Sequence, residues 1–241
     1  MADVNTGATV VDVSATAPVR PIQDLREWLA RVDEIGELVR VSEPVDPDEE
    51  MSAVSYLLAK RQPSPAVLFE KAGGVGHNPL GVRLLWNILG PSLKRTALSL
   101  EEPADTPTVE LIRRVKEKFK TRIAPREVPR GEAPIYEHTI TGGDIDLRLL
   151  PIPRHWPLDG GHYAGTADAV ITRDPDNGYL NVGTYRMMVQ GKSQAGLYLS
   201  PGKDALLHIT RAWQKGEPIQ VAAAWGIDPL FMLVGSQKFP K

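Results

Sequence analysis

The 241-residue chain has no cysteine, which excludes disulfides, thiolate metal centres and cysteine nucleophiles together. That absence fits a reducing cytoplasm. No apolar run reaches the ~18 residues a membrane helix needs. Nor do residues 1–19 show a basic start followed by an apolar block, so they read as a loose tail and not a signal peptide. Excess charge is missing too. Lys and Arg number 28 against 30 Asp and Glu, net −2, and the basic residues are scattered, which argues against a nucleic-acid partner. The five histidines, at 77, 138, 155, 162 and 208, give no support to a Ser-His-Asp arrangement.

What is present is a chain rich in turns, with 21 prolines and 21 glycines, and an ordinary globular balance of 42% hydrophobic and 24% charged residues. Its length suits one large domain or two ordinary ones. Residues 20–125 alternate helix and strand signals. Leu25, Trp28, Leu29 and Val32 recur at helix spacing behind Asp24, a candidate N-cap, and Gly36 ends the helix. Residues 37–41 alternate as a strand; Met51, Val54, Leu57 and Leu58 form a second helix's apolar face. Residues 66–69 and 82–86 read as strands. The Gly73-Gly74-Val75-Gly76 cluster reads as a turn, since no Lys-Ser or Lys-Thr pair follows it. A basic helix over 108–121 places Val109, Ile112, Val115 and Phe119 on one face, and 124–134 reads as a linker.

From residue 135 the pattern changes to short β-type stretches at 135–140, 167–172, 180–189 and 195–199, then a helix over 205–214 and a strand over 220–225. The expected fold is α+β: an N-terminal α/β domain at 20–125, then strands whose short spacing suggests a barrel or folded sheet.

The chemistry concentrates between residues 146 and 204. Asp174-Pro175-Asp176-Asn177-Gly178 is a tight turn that lets 166–172 pair with 180–189. On the second strand Arg186 is a fixed charge suited to carboxylate or phosphate, and Asn181 offers a neutral oxygen to a hard cation. Ordinary exposed strand residues would account for both as well. His155 and His162, around the turn carrying Asp159, suggest either a metal pair or residues that only shape the loop, the latter being the simpler reading. Met187 and Met188 read as core filling.

Three motifs carry a resemblance. Asp146-Leu147-Arg148-Leu149-Leu150-Pro151-Ile152-Pro153 comes first. Asp159-Gly160-Gly161-His162-Tyr163 follows, and the most specific is the run from Arg173-Asp174-Pro175 through Asn181-Val182-Gly183-Thr184-Tyr185-Arg186. Together with Gly226-Ile227-Asp228-Pro229 they resemble the UbiD decarboxylases over about residues 20–241. The resemblance implies reversible, non-oxidative decarboxylation of an aromatic or α,β-unsaturated carboxylic acid with prenylated FMN, supplied by a flavin prenyltransferase. It implies that 126–241 is a split β-barrel of flavin-reductase type, with Mn²⁺ or Mg²⁺, K⁺ in some relatives, and a homo-oligomer or partner subunit.

By the same resemblance Arg186 is the catalytic arginine. Thr166, Asn181, Thr184, Tyr185, Arg186, Tyr198, Leu199, Ser200, Lys203 and Asp204 contact the cofactor, and Asn181 and Asp204 hold the metal. Asp204 stands where many relatives have a histidine, and a helix cap is its other reading. A further metal-binding Glu and a later acidic pair for proton transfer are expected beyond Lys241, so this sequence names no proton donor. The alternative function is a non-catalytic or partial subunit that needs another chain to complete its site. A barrel cut short is also expected to expose strand edges and apolar surface, and so to dissolve poorly or to assemble.

Overall fold

A computed structural model describes residues 21–73, 78–165 and 168–237 of the chain. The tail at 1–19, positions 74–76 of the glycine turn, His77 and Thr166 lie outside the described residues.

Asp24 caps the first helix as its position predicts, accepting a 2.9 Å hydrogen bond from the Glu27 amide, which satisfies one of the donors a helix start leaves free. Helix α1 (Leu25–Glu34) buries Trp28, Leu29 and Val32. Gly36, at φ +71°, turns the chain out of it. Strand β1 (Leu38–Val41) runs parallel to β2 (Ala66–Phe69) across helix α2 (Glu50–Ala59), and β3 (Leu84–Trp86) pairs antiparallel with β2. All four β2 residues are buried, and their alternation divides the core. Ala66 and Leu68 join Trp28, Leu29, Val32 and Leu98 on one side; Val67 and Phe69 join Val45, Met51 and Leu58 on the other.

Helix α3 (Leu93–Ser99), capped by Ser92, has a weak hydrophobic signature because an arginine, Arg95, is buried along with Ala97, Leu98 and Ser99. Arg95 is fully buried, 3.0 Å from Glu37 Oε2, and donates to the carbonyls of Ser64, Ile88 and Leu89 at 2.7–2.8 Å. Such a charge is tolerated inside only when paired and hydrogen-bonded. Helix α4 (Thr108–Lys118) corrects the expected apolar face: Leu111 turns inward, while Val109 and Ile112 are 82% and 63% exposed. Leu57, grouped with the buried face of α2, is 65% exposed.

The strand expected at 135–140 is absent. Residues Pro134–Tyr136 make a single 3₁₀ turn with Ile135 75% exposed, consistent with a proline that has no N–H to offer a neighbouring strand. Beyond it, β5 (Ala169–Arg173) pairs antiparallel with β6 (Leu180–Gly183) through the predicted turn, where Gly178 takes φ +74°. Strand β9 (Val221–Ala224) lies on the other side of β5. A second three-stranded sheet holds β4 (Tyr163–Gly165), β7 (Met187–Val189) and β8 (Ala195–Leu197) in that order.

The continuous strand expected at 180–189 is therefore two strands in two sheets. The chain leaves one sheet after Gly183 and enters the other at Met187, so residues 184–186 form a crossing. Alternation of faces along the strand stops there. Val170, Tyr185, Met187 and Ala205 pack the space between the sheets. Helices α5 (Asp204–Gln214) and α6 (Pro229–Gly235) lie against the β5–β6 pair. Among the described residues the sheets do not close into a barrel, and no helix is long and apolar enough to cross a membrane.

Candidate functional site

The crossing gathers much of the expected site. A cleft of about 220 Å³ is lined by Thr184, Tyr185, Arg186, Tyr198, Ser200 and Lys203. The Tyr198 amide donates to the Arg186 carbonyl at 2.9 Å, fixing the segment after β8 against the crossing. Leu199 faces the other way, into the packing between the sheets. Two cationic residues and the hydroxyl-bearing Thr184, Tyr185, Tyr198 and Ser200 thus line one cleft, a set of residue types that suits a phosphate or carboxylate.

Arg186 lies over the Tyr163 ring, 5.9 Å from its centroid, within the range of a cation–π contact. Tyr163 packs edge-on with His155, and His155 stacks on Trp86 at 4.9 Å, so a chain of rings connects the crossing to the N-terminal sheet. Burial pulls the His155 pKa below its usual value, Asp159 opposes that, and Arg186 adds to it. His155, His162 and Asp159 do not gather as a group of three metal-ligating side chains among the described residues. Asp159 accepts from the His155 and Trp156 amides at 3.2 and 3.0 Å, and His162 Nδ1 meets the Ile152 carbonyl at 2.8 Å. These residues shape their loop.

Asn181 is not on the cleft wall. Its Nδ2 donates to Tyr185 Oη at 3.3 Å, and Tyr185 does line the cleft. Asp204 does not cap α5: Lys203 takes the N-cap position without a side-chain bond, and Asp204 is the first helical residue, where a carboxylate still favours the positive end of the helix. No three acidic or histidine side chains cluster as a metal cage among the described residues.

Three neighbours of the site were not assigned to it from the sequence, although His155 had been singled out for its loop. Gly235 of α6 stands behind the crossing, where an added Cβ would lie 3.5 Å from Gly183 Cα and 3.6 Å from Thr184 Cγ2. His155 enters through its ring stacking. Asp168, just before β5, is fully buried, and burial pushes its carboxyl up to about 6 while the amides of Asp168 and Tyr185 pull the other way.

Residues 29–115 match the family described as 3-octaprenyl-4-hydroxybenzoate carboxy-lyase N-terminal domain, and residues 126–241 match that carboxy-lyase's Rift-related domain. The chain is 36% identical over 221 residues to the phenolic acid decarboxylase of Bacillus subtilis (strain 168), covering 89% of itself and 45% of that protein. It is 33% identical over 220 residues to that of Escherichia coli O157:H7, covering 88% and 45%. The closed form of Sedimentibacter hydroxybenzoicus vanillic acid decarboxylase superposes with a TM-score of 0.81 at 30% identity, covering 90% of this chain and 45% of that one. The UbiD-class enzyme HmfF from Pelotomaculum thermopropionicum, in complex with FMN, gives 0.72 at 29% identity, covering 86% and 43%.

The fold is mixed α+β and matches that of UbiD-class structures. The chain belongs to the UbiD family, of which it represents the N-terminal and central part. It spans about half the length of the curated relatives it matches.

Proposed function

We propose that this chain supplies the flavin-binding part of a UbiD-class decarboxylase acting on an aromatic or α,β-unsaturated carboxylic acid with prenylated FMN. The observation that carries the reading is the cleft at the sheet crossing, where Arg186 and Lys203 converge with hydroxyl groups. Its volume of about 220 Å³ is below the ~300 Å³ at which pockets begin to engulf a whole drug-sized ligand. It fits one charged end of a flavin, with the ring system at its mouth.

In this reading residues 20–125 form an N-terminal domain, and the two small sheets of 126–241 are the described parts of a split barrel. Lys203 and Ser200 hold the flavin phosphate, with Thr184, Tyr185, Tyr198 and Leu199 along the cofactor. Asn181 has its amide nitrogen on Tyr185 Oη, so its oxygen is the atom for a Mn²⁺ or Mg²⁺ ion shared with Asp204. K⁺ would accompany that ion, and Thr166 completes the cofactor contacts. Prenylated FMN, when bound, supplies an electron sink for the pair released as CO₂ departs.

Arg186 is the residue for the substrate carboxylate. Its guanidinium is permanently charged and presents a planar fork of donors. The Tyr163 ring beneath it fixes the direction of that fork without neutralising it. Binding a carboxylate there orients the bond to be broken, which is the protein's contribution to rate. The matching relatives named as phenolic and vanillic acid decarboxylases support an aromatic acid as substrate. The relatives' length supports a second reading, in which the chain binds the cofactor but needs another chain or a second copy to turn over.

Co-expression with a flavin prenyltransferase, followed by mass spectrometry of the bound cofactor, tests the reading. Prenylated FMN on the wild-type chain and little on Lys203→Ala is the expected result. Turnover of aromatic acids by the chain alone favours the first form, and cofactor without turnover favours the second. A chain that retains no flavin contradicts both.

A further inference from the structure

Among the described residues Arg186 pairs with no carboxylate, and its guanidinium rests on the Tyr163 ring, 5.9 Å from the centroid. Tyr163 is itself fixed from two directions. Its amide donates to the Pro153 carbonyl at 2.9 Å, and the His155 ring stands 6.4 Å away, inclined at 61°. The strap over 153–155 is clamped to the N-terminal unit. The Arg154 amide donates to the Pro47 carbonyl at 3.1 Å, and the Glu49 amide donates back to the Arg154 carbonyl at 3.0 Å. The Arg154 guanidinium also reaches Asp48 at 2.6 Å. His155 Nε2 is buried without a hydrogen-bond partner among the described residues, so no bond from that atom turns the imidazole. The ring lies instead against Trp86 of β3, 4.9 Å between centroids. Trp86 in turn packs on the core that holds Val67 and Phe69.

We infer that Trp86 is a positioning residue for Arg186: through the rings of His155 and Tyr163 the N-terminal sheet aims the guanidinium fork before a carboxylate arrives. The inference rests on Arg186 being the carboxylate-holding residue. Each contact in the series lies within the range at which rings, or a ring and a cation, attract. A long side chain loses rotamer freedom when a ligand fixes it. Restricting Arg186 beforehand leaves less to lose on binding. A ring suits that task, since its face attracts the cation without bringing a negative charge that competes with the incoming acid. His155 is the spacer. Its pKa is lowered chiefly by burial, so at neutral pH the imidazole sets no second cation against Arg186.

Nuclear magnetic resonance of the arginine Nε–H groups reads the fork directly, and Arg186→Lys assigns the Arg186 signal by its loss. The order parameter of that group should be high in the wild-type chain and fall in Trp86→Leu and in Tyr163→Leu. Trp86→Phe and Tyr163→Phe, which keep a ring, should preserve it. Benzoate titrated into the FMN-loaded chain gives the second readout. Its dissociation constant should rise about two- to fivefold in Trp86→Leu, as loss of one cation–π contact implies. A merely structural Trp86 would lower stability while the Arg186 signal and benzoate affinity stay as in the wild type. That result overturns the inference and leaves the carboxylate reading standing. An Arg186 Nε–H group already mobile in the wild type overturns it too. A wild type that takes up FMN but no benzoate overturns the carboxylate reading and the inference together. Should Trp86→Leu fail to fold, His155→Ala removes the middle ring, and the same two readouts decide.

Discussion

Tyr185 folds its ring back over Gly183: a Cβ placed on Gly183 would stand 2.4 Å from Tyr185 Cε2 and 2.8 Å from its phenolic oxygen. The glycine is what lets the crossing double back between two sheets while its tyrosine stays buried. Gly183→Ala should therefore force the ring out of the packing. We expect a loss of about 1–3 kcal/mol in urea unfolding together with weaker FMN binding. A variant of unchanged stability and affinity would show that the ring moves freely.

The Glu37–Arg95 pair should dominate the stability of the N-terminal unit. Replacing Arg95 by Met takes from buried Glu37 its ionic partner, leaving the Ser92 hydroxyl to donate to it, and removes the guanidinium donors from the carbonyls of Ser64, Ile88 and Leu89. About 3–5 kcal/mol should be lost in chemical denaturation. Lysine should rescue little, because a point charge cannot serve donors spread over a guanidinium fork.

Asp168 also predicts how stability varies with pH. Its folded pKa of about 6 lies above the usual 3.8, so the native state holds a proton that the unfolded chain releases earlier. The stabilisation is fully present below about pH 4 and is lost as pH rises through about 6, for a difference on the order of 3 kcal/mol. Thermal melts of Asp168→Asn should lack this slope and lie above the wild type at neutral pH. Parallel curves for the two proteins would contradict the assignment.

Gly178 offers a contrast, since its φ of +74° needs glycine while nothing lies within 4 Å of an added Cβ. Gly178→Ala should therefore cost only backbone strain, about 1 kcal/mol. Tm should fall by about 2–4 °C with FMN affinity unchanged.

These positions differ in how far the sequence announces them. Asp24, Trp28, Leu29 and Val32 declare α1 because cap and periodicity agree, and the Asp174–Gly178 turn declares the β5–β6 pair. Arg95 conceals α3, since hydrophobic periodicity reads an arginine as outward. The split of 180–189 between two sheets is invisible because Tyr185, apolar in one part and polar in another, suits a strand and a buried crossing equally. Asp168 and Gly235 matter through neighbours distant in sequence, which periodicity does not register. Arg186 and Lys203 were legible from motif resemblance, and the fold adds that they share one cleft.

Titration of the purified chain with FMN, followed by flavin fluorescence, tests the central claim most directly, with riboflavin as the ligand that lacks the phosphate. We expect saturable one-to-one binding of FMN, at least about tenfold weaker binding of riboflavin, and a similar loss for FMN in Lys203→Ala, as removal of a charge-assisted contact implies. Equal affinity for the two flavins, unaffected by Lys203→Ala, would contradict a phosphate-holding cleft at the sheet crossing.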